Sequence, residues 1–157
     1  MGEGPRPNAN KMRKLPTIEI KDGISLDVGC ANKCMPGMIG IDNVDYGQPI
    51  IWDIRDGIPF PDNSVDKVYT SHFLEHLTNK EAKEFIQDSL RVLKPGGIFF
   101  SKCPSINHYG VFYIDHESYW NVPRVASIAN PDNMPGWEII VNTINNQQEL
   151  EFELRKI

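Results

Sequence analysis

Leu26-Asp27-Val28-Gly29-Cys30-Ala31-Asn32-Lys33, followed at a short distance by Gly40-Ile41-Asp42, is the stretch that decides the fold. Leu26 to Val28 is a short apolar run of the kind that forms a buried strand. Gly29-Cys30-Ala31 is a turn of small residues. Met38 to Asp42 is a second strand, closed by a carboxylate. A turn of small residues leaves backbone N–H groups open to one part of a ligand, and an acid at the end of the next strand faces the hydroxyls of a ribose. The pattern points to a ligand with a nucleoside end. An alanine at position 31, where a glycine would be freer, is expected to keep φ negative.

Working outward, short apolar strands alternate with connections. Ile24 to Val28 is read as the first strand and Met38 to Asp42 as the second. Pro49 to Asp53 is the third, with proline at its start, where a missing N–H does no harm. Ser64 to Thr70 is the fourth, after the turn residues Pro59-Phe60-Pro61-Asp62-Asn63. Thr78-Asn79-Lys80-Glu81 has the form of a capping box and opens a helix to about Leu93, with Phe85, Ile86, Leu90 and Leu93 on one face. Lys94-Pro95-Gly96-Gly97 ends that helix, and Ile98 to Lys102 is a fifth strand. Trp137 to Ile144 and Glu149 to Ile157 form a closing hairpin around Asn145-Asn146-Gln147-Gln148. Strands alternating with helices predict an α/β domain with a mostly parallel sheet, whose ligands bind at the carboxyl ends of the strands. Residues 17–157 read as that single domain. Residues 1–16, rich in Gly, Pro, Asn and basic side chains, read as a flexible N-terminal tail.

Four segments carry a resemblance: LDVGCANK, MIGID, IIWDIRDGIPFPDNSVDKVYTSHFLEHL and LRVLKPGGIFF. In their order and spacing the chain resembles the class I S-adenosylmethionine-dependent methyltransferases, in particular the small ones of the type 11 kind. The resemblance implies a Rossmann-like methyltransferase fold: a mostly parallel seven-stranded sheet with an antiparallel C-terminal hairpin. The link from Val28 to Met38 is too short for the usual crossover helix, so that helix is expected to be shortened or absent. The same shortness tells against a nicotinamide dinucleotide site, whose acid lies about 20 residues beyond its glycines.

The resemblance also implies S-adenosylmethionine as cofactor and S-adenosylhomocysteine as product. The backbone of Gly29, Cys30 and Ala31 is then expected to face the methionine end. Asp27 supports that turn and reaches the amino group through water. Asp42 accepts from the ribose hydroxyls, and Asp53 with the Ile54 backbone reads the adenine edge. Ser71 and His72 lie nearest the sulfonium.

Methyl transfer from a sulfonium is an in-line displacement, in which the protein mainly holds donor and nucleophile in line. A base is needed only where the acceptor carries a proton that must leave. His72 and His116 are the candidate catalytic residues, since imidazole titrates near neutral pH. His72 has an alternative role as a hydrogen-bonded anchor of the turn. The connection from Pro104 to Gly136 carries His108, Tyr109, Phe112, Tyr113, Asp115, His116, Tyr119 and Trp120. Its Tyr113 and His116, with His72, are the candidate acceptor-binding residues. The competing reading makes Tyr113 to Ala129 a helix packing aromatic side chains on the sheet.

His72-Phe73-Leu74-Glu75-His76 also matches the H-x-x-E-H signature of a zinc peptidase family. On a helix the two histidines would hold zinc while Glu75 activated water. The methyltransferase context ranks that reading lower, makes Glu75 and His76 structural, and leaves no metal expected. A non-catalytic S-adenosylmethionine-binding module is the third alternative.

Bulk properties set the remaining bounds. With 157 residues, 40% hydrophobic and 24% charged, the chain is expected to build one core. A net charge of −5 argues against a general nucleic-acid binder, with Lys11, Arg13 and Lys14 the one basic run. The acceptor is expected to be a small or sugar-like molecule, and a second copy could complete its site as a homodimer. No long apolar run or leader-like segment is present, so a cytoplasmic, membrane-free protein is expected. Cys30, Cys34 and Cys103 are expected to be reduced thiols.

Overall fold

The computed structural model describes residues 23–157. The expected tail over residues 1–16 lies outside the described residues. Seven strands form one sheet: β1 (Ser25–Val28), β2 (Ile39–Asp42), β3 (Ile50–Ile51), β4 (Val65–Ser71), β5 (Leu93–Pro104), β6 (Trp137–Ile144) and β7 (Glu149–Lys156). Their spatial order is β3-β2-β1-β4-β5-β7-β6. The first five pair in parallel. β7 runs antiparallel to both β5 and β6. The closing hairpin therefore slots its second strand between β5 and β6, and the Rossmann-like reading holds.

Strand order reverses between β1 and β4, which places a crevice at their carboxyl ends. No helix joins β1 to β2. Ten residues make a bare loop there, as the short spacing requires.

Among the described residues, two helices lie against the sheet. α1 (Asn79–Val92) begins at a complete capping box, with the Thr78 hydroxyl accepting from the Glu81 N–H and the Glu81 carboxylate accepting from the Thr78 N–H. Ala82, Phe85, Ile86, Ser89 and Val92 form its buried face, at helical spacing. The Phe99 ring of β5 meets Phe85, Phe152 and Trp137 at centroid distances of 5.9, 5.9 and 6.1 Å, so helix and hairpin share one core.

Three element boundaries differ from the sequence expectation. The third strand is only Ile50–Ile51, because Trp52 and Asp53 leave the sheet to start a short 3-10 turn at Ile54. β5 begins at Leu93 and reaches Ile98 through an irregularity in its register with β4, where a strand from Ile98 was expected. In place of a helix from Tyr113 to Ala129, a 3-10 turn covers Tyr109–Phe112 and α2 spans only Val122–Ile128. Pro123 confines the helix start. It has no N–H to continue an earlier helix, and the Asn121 side chain caps the new one by accepting from Arg124 N.

Candidate functional site

The turn after β1 is built by close approach. Gly29 has φ +71°, and its N–H donates to the Ile41 carbonyl at 2.8 Å. A Cβ at this position would stand 2.2 Å from Phe73 Cδ2, so both the dihedral and the space demand glycine. Ala31 adopts φ +46°, which corrects the expectation that it stays negative. The reason is its N–H, which donates to Asp42 Oδ2 at 3.0 Å. A hydrogen bond to a charged acceptor contributes ~1.5–3 kcal/mol. That offsets the ~1–2 kcal/mol of left-handed strain on an L-residue.

The loop that replaces the crossover helix is tied from beneath. Asp27 is 3% exposed, and its Oδ2 accepts from Met35 N–H at 2.7 Å. Burial pushes the Asp27 pKa up, and the Met35 hydrogen bond pulls part of that shift back. Cys30 and Cys34 are paired as a disulfide, with Cα atoms 4.8 Å apart, which corrects the expectation of reduced thiols there. Cys103 is free and buried. Gly40 of β2 accommodates the pair: a Cβ there would lie 2.5 Å from Cys34 Sγ and 2.9 Å from Cys30 Sγ. The local spacing of four residues let the loop fold the two sulfurs together over that glycine.

A cavity of about 370 Å³ opens between the carboxyl ends of the strands. That is the size of a typical small-ligand site. Gly29, Ala31, Asp42, Asp53, Ile54 and His72 all line it, so six of the residues singled out in the sequence meet around one space. The turn and the acid that ends β2 face the same cavity. Asp27, Cys30 and Ser71 do not line it, and neither do Tyr113 and His116. Sequence reasoning missed Tyr46, Trp52, Arg55, Phe73, His76 and Glu81 as lining residues. Trp52 and Arg55 flank Asp53 in the chain, and their nearness to that acid was the available signal.

Each acid in the cavity also has a partner within the protein. Asp42 Oδ1 accepts from Val44 N–H at 3.1 Å, beside the Ala31 contact on Oδ2. Asp53 is engaged by Arg55: the Arg55 N–H and Nε reach Oδ1 at 3.0 and 2.9 Å, and its second guanidinium nitrogen reaches Oδ2 at 2.5 Å. The Arg55 hydrogen bond holds the Asp53 carboxyl below its usual range, against the opposing effect of burial. Carboxylate oxygens retain further lone pairs after one hydrogen bond each, so the ribose-facing role expected of Asp42 from the sequence would be compatible with its turn-holding role.

His72 has φ +52° and its N–H donates to the Lys102 carbonyl at 2.8 Å. Its Nδ1 is 3.5 Å from Glu75 Oε1 and its Nε2 is 2.7 Å from Glu149 Oε1. Glu75, then Glu149, raise the His72 pKa against the opposing effect of burial. Burial pushes Glu149 up, but Lys102 at 2.9 Å, Asn145 and His72 together pull it below its usual value. A left-handed residue 72 cannot belong to a helix, and the 3-10 turn covers only Leu74–His76. His72 and His76 therefore share no helical face, which overturns the zinc-peptidase arrangement.

Comparisons with known proteins bear on the fold and on the middle of the sequence. Residues 35–101 match a family described as "Methyltransferase domain". The ubiquinone/menaquinone biosynthesis C-methyltransferase UbiE of Salmonella newport is 37% identical over 100 residues, which is 61% of this chain and 36% of that protein. The chain thus spans little more than a third of the length of the curated relatives it matches. Among solved structures, an S-adenosylmethionine-dependent methyltransferase from Aquifex aeolicus superposes with a TM-score of 0.65 at 17% identity, covering 86% of this chain and 82% of that one. One from Archaeoglobus fulgidus gives 0.66 at 16% identity, covering 85% and 86%. At such identities the likeness is one of fold. The cofactor of these proteins is S-adenosylmethionine, and the lining has the chemistry such a ligand needs: Asp42 and Asp53 carboxylates able to accept from hydroxyls or an amino group, and the apolar side chains of Trp52 and Ile54. With the ordered motifs, the matched methyltransferase domain over residues 35–101 and the β3-β2-β1-β4-β5-β7-β6 sheet in agreement, the chain has the fold of the class I S-adenosylmethionine-dependent methyltransferases and is similar to them in sequence over its middle.

Proposed function

We propose that the protein transfers a methyl group from S-adenosylmethionine to a small or sugar-like acceptor. The observation that carries this reading is the single cavity shared by the Gly29–Ala31 turn, Asp42 and His72. When bound there, the cofactor supplies an activated methyl group on a positively charged sulfur.

The chain's own residues then have distinct tasks. Asp42 accepts from the ribose hydroxyls through lone pairs left over from Ala31 and Val44. The Ile54 backbone faces the adenine edge, with Asp53 held in place by Arg55. Asp27 acts from below, by fixing the loop through Met35. Phe73, packed over Gly29, closes that side of the turn against water. His72 stands at the end of β4 with Glu75 and Glu149 on its two ring nitrogens. The two carboxylates favour the imidazolium; where the acceptor carries a proton, His72 takes it from the neutral state, with one ring nitrogen released from its carboxylate and turned to the acceptor.

Small acceptors are favoured by the modest cavity and the net charge of −5. The test is transfer of a labelled methyl group to a panel of acceptors bearing hydroxyl, amine and activated-carbon nucleophiles. Transfer that disappears in Asp42→Ala supports the reading. Stoichiometric cofactor binding with no transfer to any acceptor would favour a binding module instead.

A further inference from the structure

Beside the cavity, Glu75, His76 and His116 each present a ligand atom within 4.8 Å of the other two. Two of these residues are left chemically incomplete. Among the described residues, three buried side-chain atoms lack a hydrogen-bond partner, and two of them are Glu75 Oε2 and His116 Nδ1. Glu75 is 2% exposed, so its bare oxygen has no access to water. Its Oε1 faces His72 Nδ1 at 3.5 Å, so it is the second oxygen, Oε2, that is buried without a donor or a metal ion to satisfy it.

The cluster is also held in shape. The Glu75 carbonyl accepts from Glu117 N–H at 2.7 Å and from Ser118 N–H at 3.2 Å, and the Ser118 hydroxyl donates to the Leu74 carbonyl at 3.0 Å. These bonds staple the His116 segment to the 3-10 turn that carries Glu75 and His76. The two imidazoles meet edge to face, with centroids 5.0 Å apart. His76 Nδ1 lies 3.2 Å from the Asp115 carbonyl oxygen. A carbonyl can only accept, so Nδ1 carries the hydrogen and Nε2 carries the lone pair. Fixing a ring by such an outer contact is how metal-binding histidines are commonly oriented. Charged or titratable groups facing the cluster include His72, 3.5 Å from Glu75, Asp115, whose Oδ2 is 3.5 Å from His76 Nδ1, Tyr113, whose ring centroid is 5.6 Å from that of His116, and the buried Cys103, whose thiol is influenced by Glu75.

We propose that Glu75, His76 and His116 bind one divalent transition-metal ion. Two imidazoles and one carboxylate suit zinc, cobalt or manganese better than calcium or magnesium, which prefer all-oxygen sites. Three protein ligands leave at least one coordination position open. Because His76 also lines the cavity, the ion stands at the cavity's rim. This site differs from the peptidase arrangement: Glu75 is a ligand, and His72 is not.

The test is direct titration of chelator-stripped protein with Co²⁺, followed by visible absorbance, with Zn²⁺ as competitor. The expected result is one equivalent of saturable Co²⁺, displaced by Zn²⁺. His76→Ala and His116→Ala should each weaken binding at least about tenfold, since loss of even an outer partner has that effect. The His76 side chain is 40% exposed, so its removal should leave the fold intact by circular dichroism even if Glu75→Gln does not fold. No saturable Co²⁺ binding by the wild-type protein would overturn the proposal. So would undiminished binding by the His76→Ala/His116→Ala double variant, or binding abolished by Cys34→Ser alone. Titrating the same stripped protein with S-adenosylhomocysteine reads the cofactor cavity separately, so failure of one site is not mistaken for failure of the other.

Discussion

The Ala31 N–H donates to Asp42 Oδ2 at 3.0 Å, so the carboxylate that ends β2 also holds the turn that follows β1. The two halves of the proposed cofactor site are thereby joined before any ligand arrives. Asp42→Ala should lower affinity for S-adenosylmethionine by ~1.5–3 kcal/mol, the range for hydrogen bonds to a charged group. Part of that loss should come from release of Ala31 from its left-handed conformation. Calorimetric titration checks it, and an unchanged dissociation constant would remove Asp42 from the site.

Gly29→Ala should be costly for two separable reasons. The residue needs φ +71°, and its Cβ would stand 2.2 Å from Phe73 Cδ2. The dihedral alone costs ~1–2 kcal/mol, and the clash adds to it. Thermal melts of Gly29→Ala and of the Gly29→Ala/Phe73→Ala pair measure the two parts. Part of the loss should be recovered against the Phe73→Ala background. A Gly29→Ala protein as stable as the parent would contradict the observed turn.

His72→Ala should lower kcat by about 100-fold or more where the acceptor carries a proton to be removed. Affinity for S-adenosylmethionine should change little. Equal losses in both would make His72 an anchor between Glu75 and Glu149 rather than a base.

Asp66 gives a prediction for acid stability. Lys94 Nζ at 2.8 Å, and then the Ile24 N–H at 2.7 Å, hold its carboxyl below the usual range. A lowered folded-state pKa means that the unfolded chain binds the proton more tightly. The stabilisation is therefore complete above the unfolded value of about 3.9 and is lost as pH falls through the folded value. The stability difference between wild type and Asp66→Asn should shrink as pH falls below about 4. The pair is solvent-exposed, so the full effect should be about 1 kcal/mol or less. Urea melts across that range check it, and a difference that grows with acid would reverse the assignment.

Much of this architecture was legible because its signals are local. The capping box at Thr78 and Glu81, the apolar face of α1 and the turn at Asn145–Gln148 each lie within a few residues. The ordering of motifs carried the sheet. What escaped depends on contacts between distant parts of the chain. His72 meets Glu149 across 77 residues. His116 reaches Glu75 and His76 only because Ser118 and Glu117 bond back to Leu74 and Glu75. Ala31 turns left-handed because of Asp42, which no propensity of alanine foretells. Tyr113 and His116 were grouped with the acceptor site by sequence. In the structure they pack on each other, with centroids 5.6 Å apart, and do not line the cavity.

The most direct test of the central claim is a crystal structure of the protein grown with S-adenosylhomocysteine. The ribose should lie against Asp42, the adenine beside Ile54, and the sulfur between the Gly29–Ala31 turn and His72. A nucleoside bound anywhere else, or a cavity without density at saturating ligand, would contradict the account.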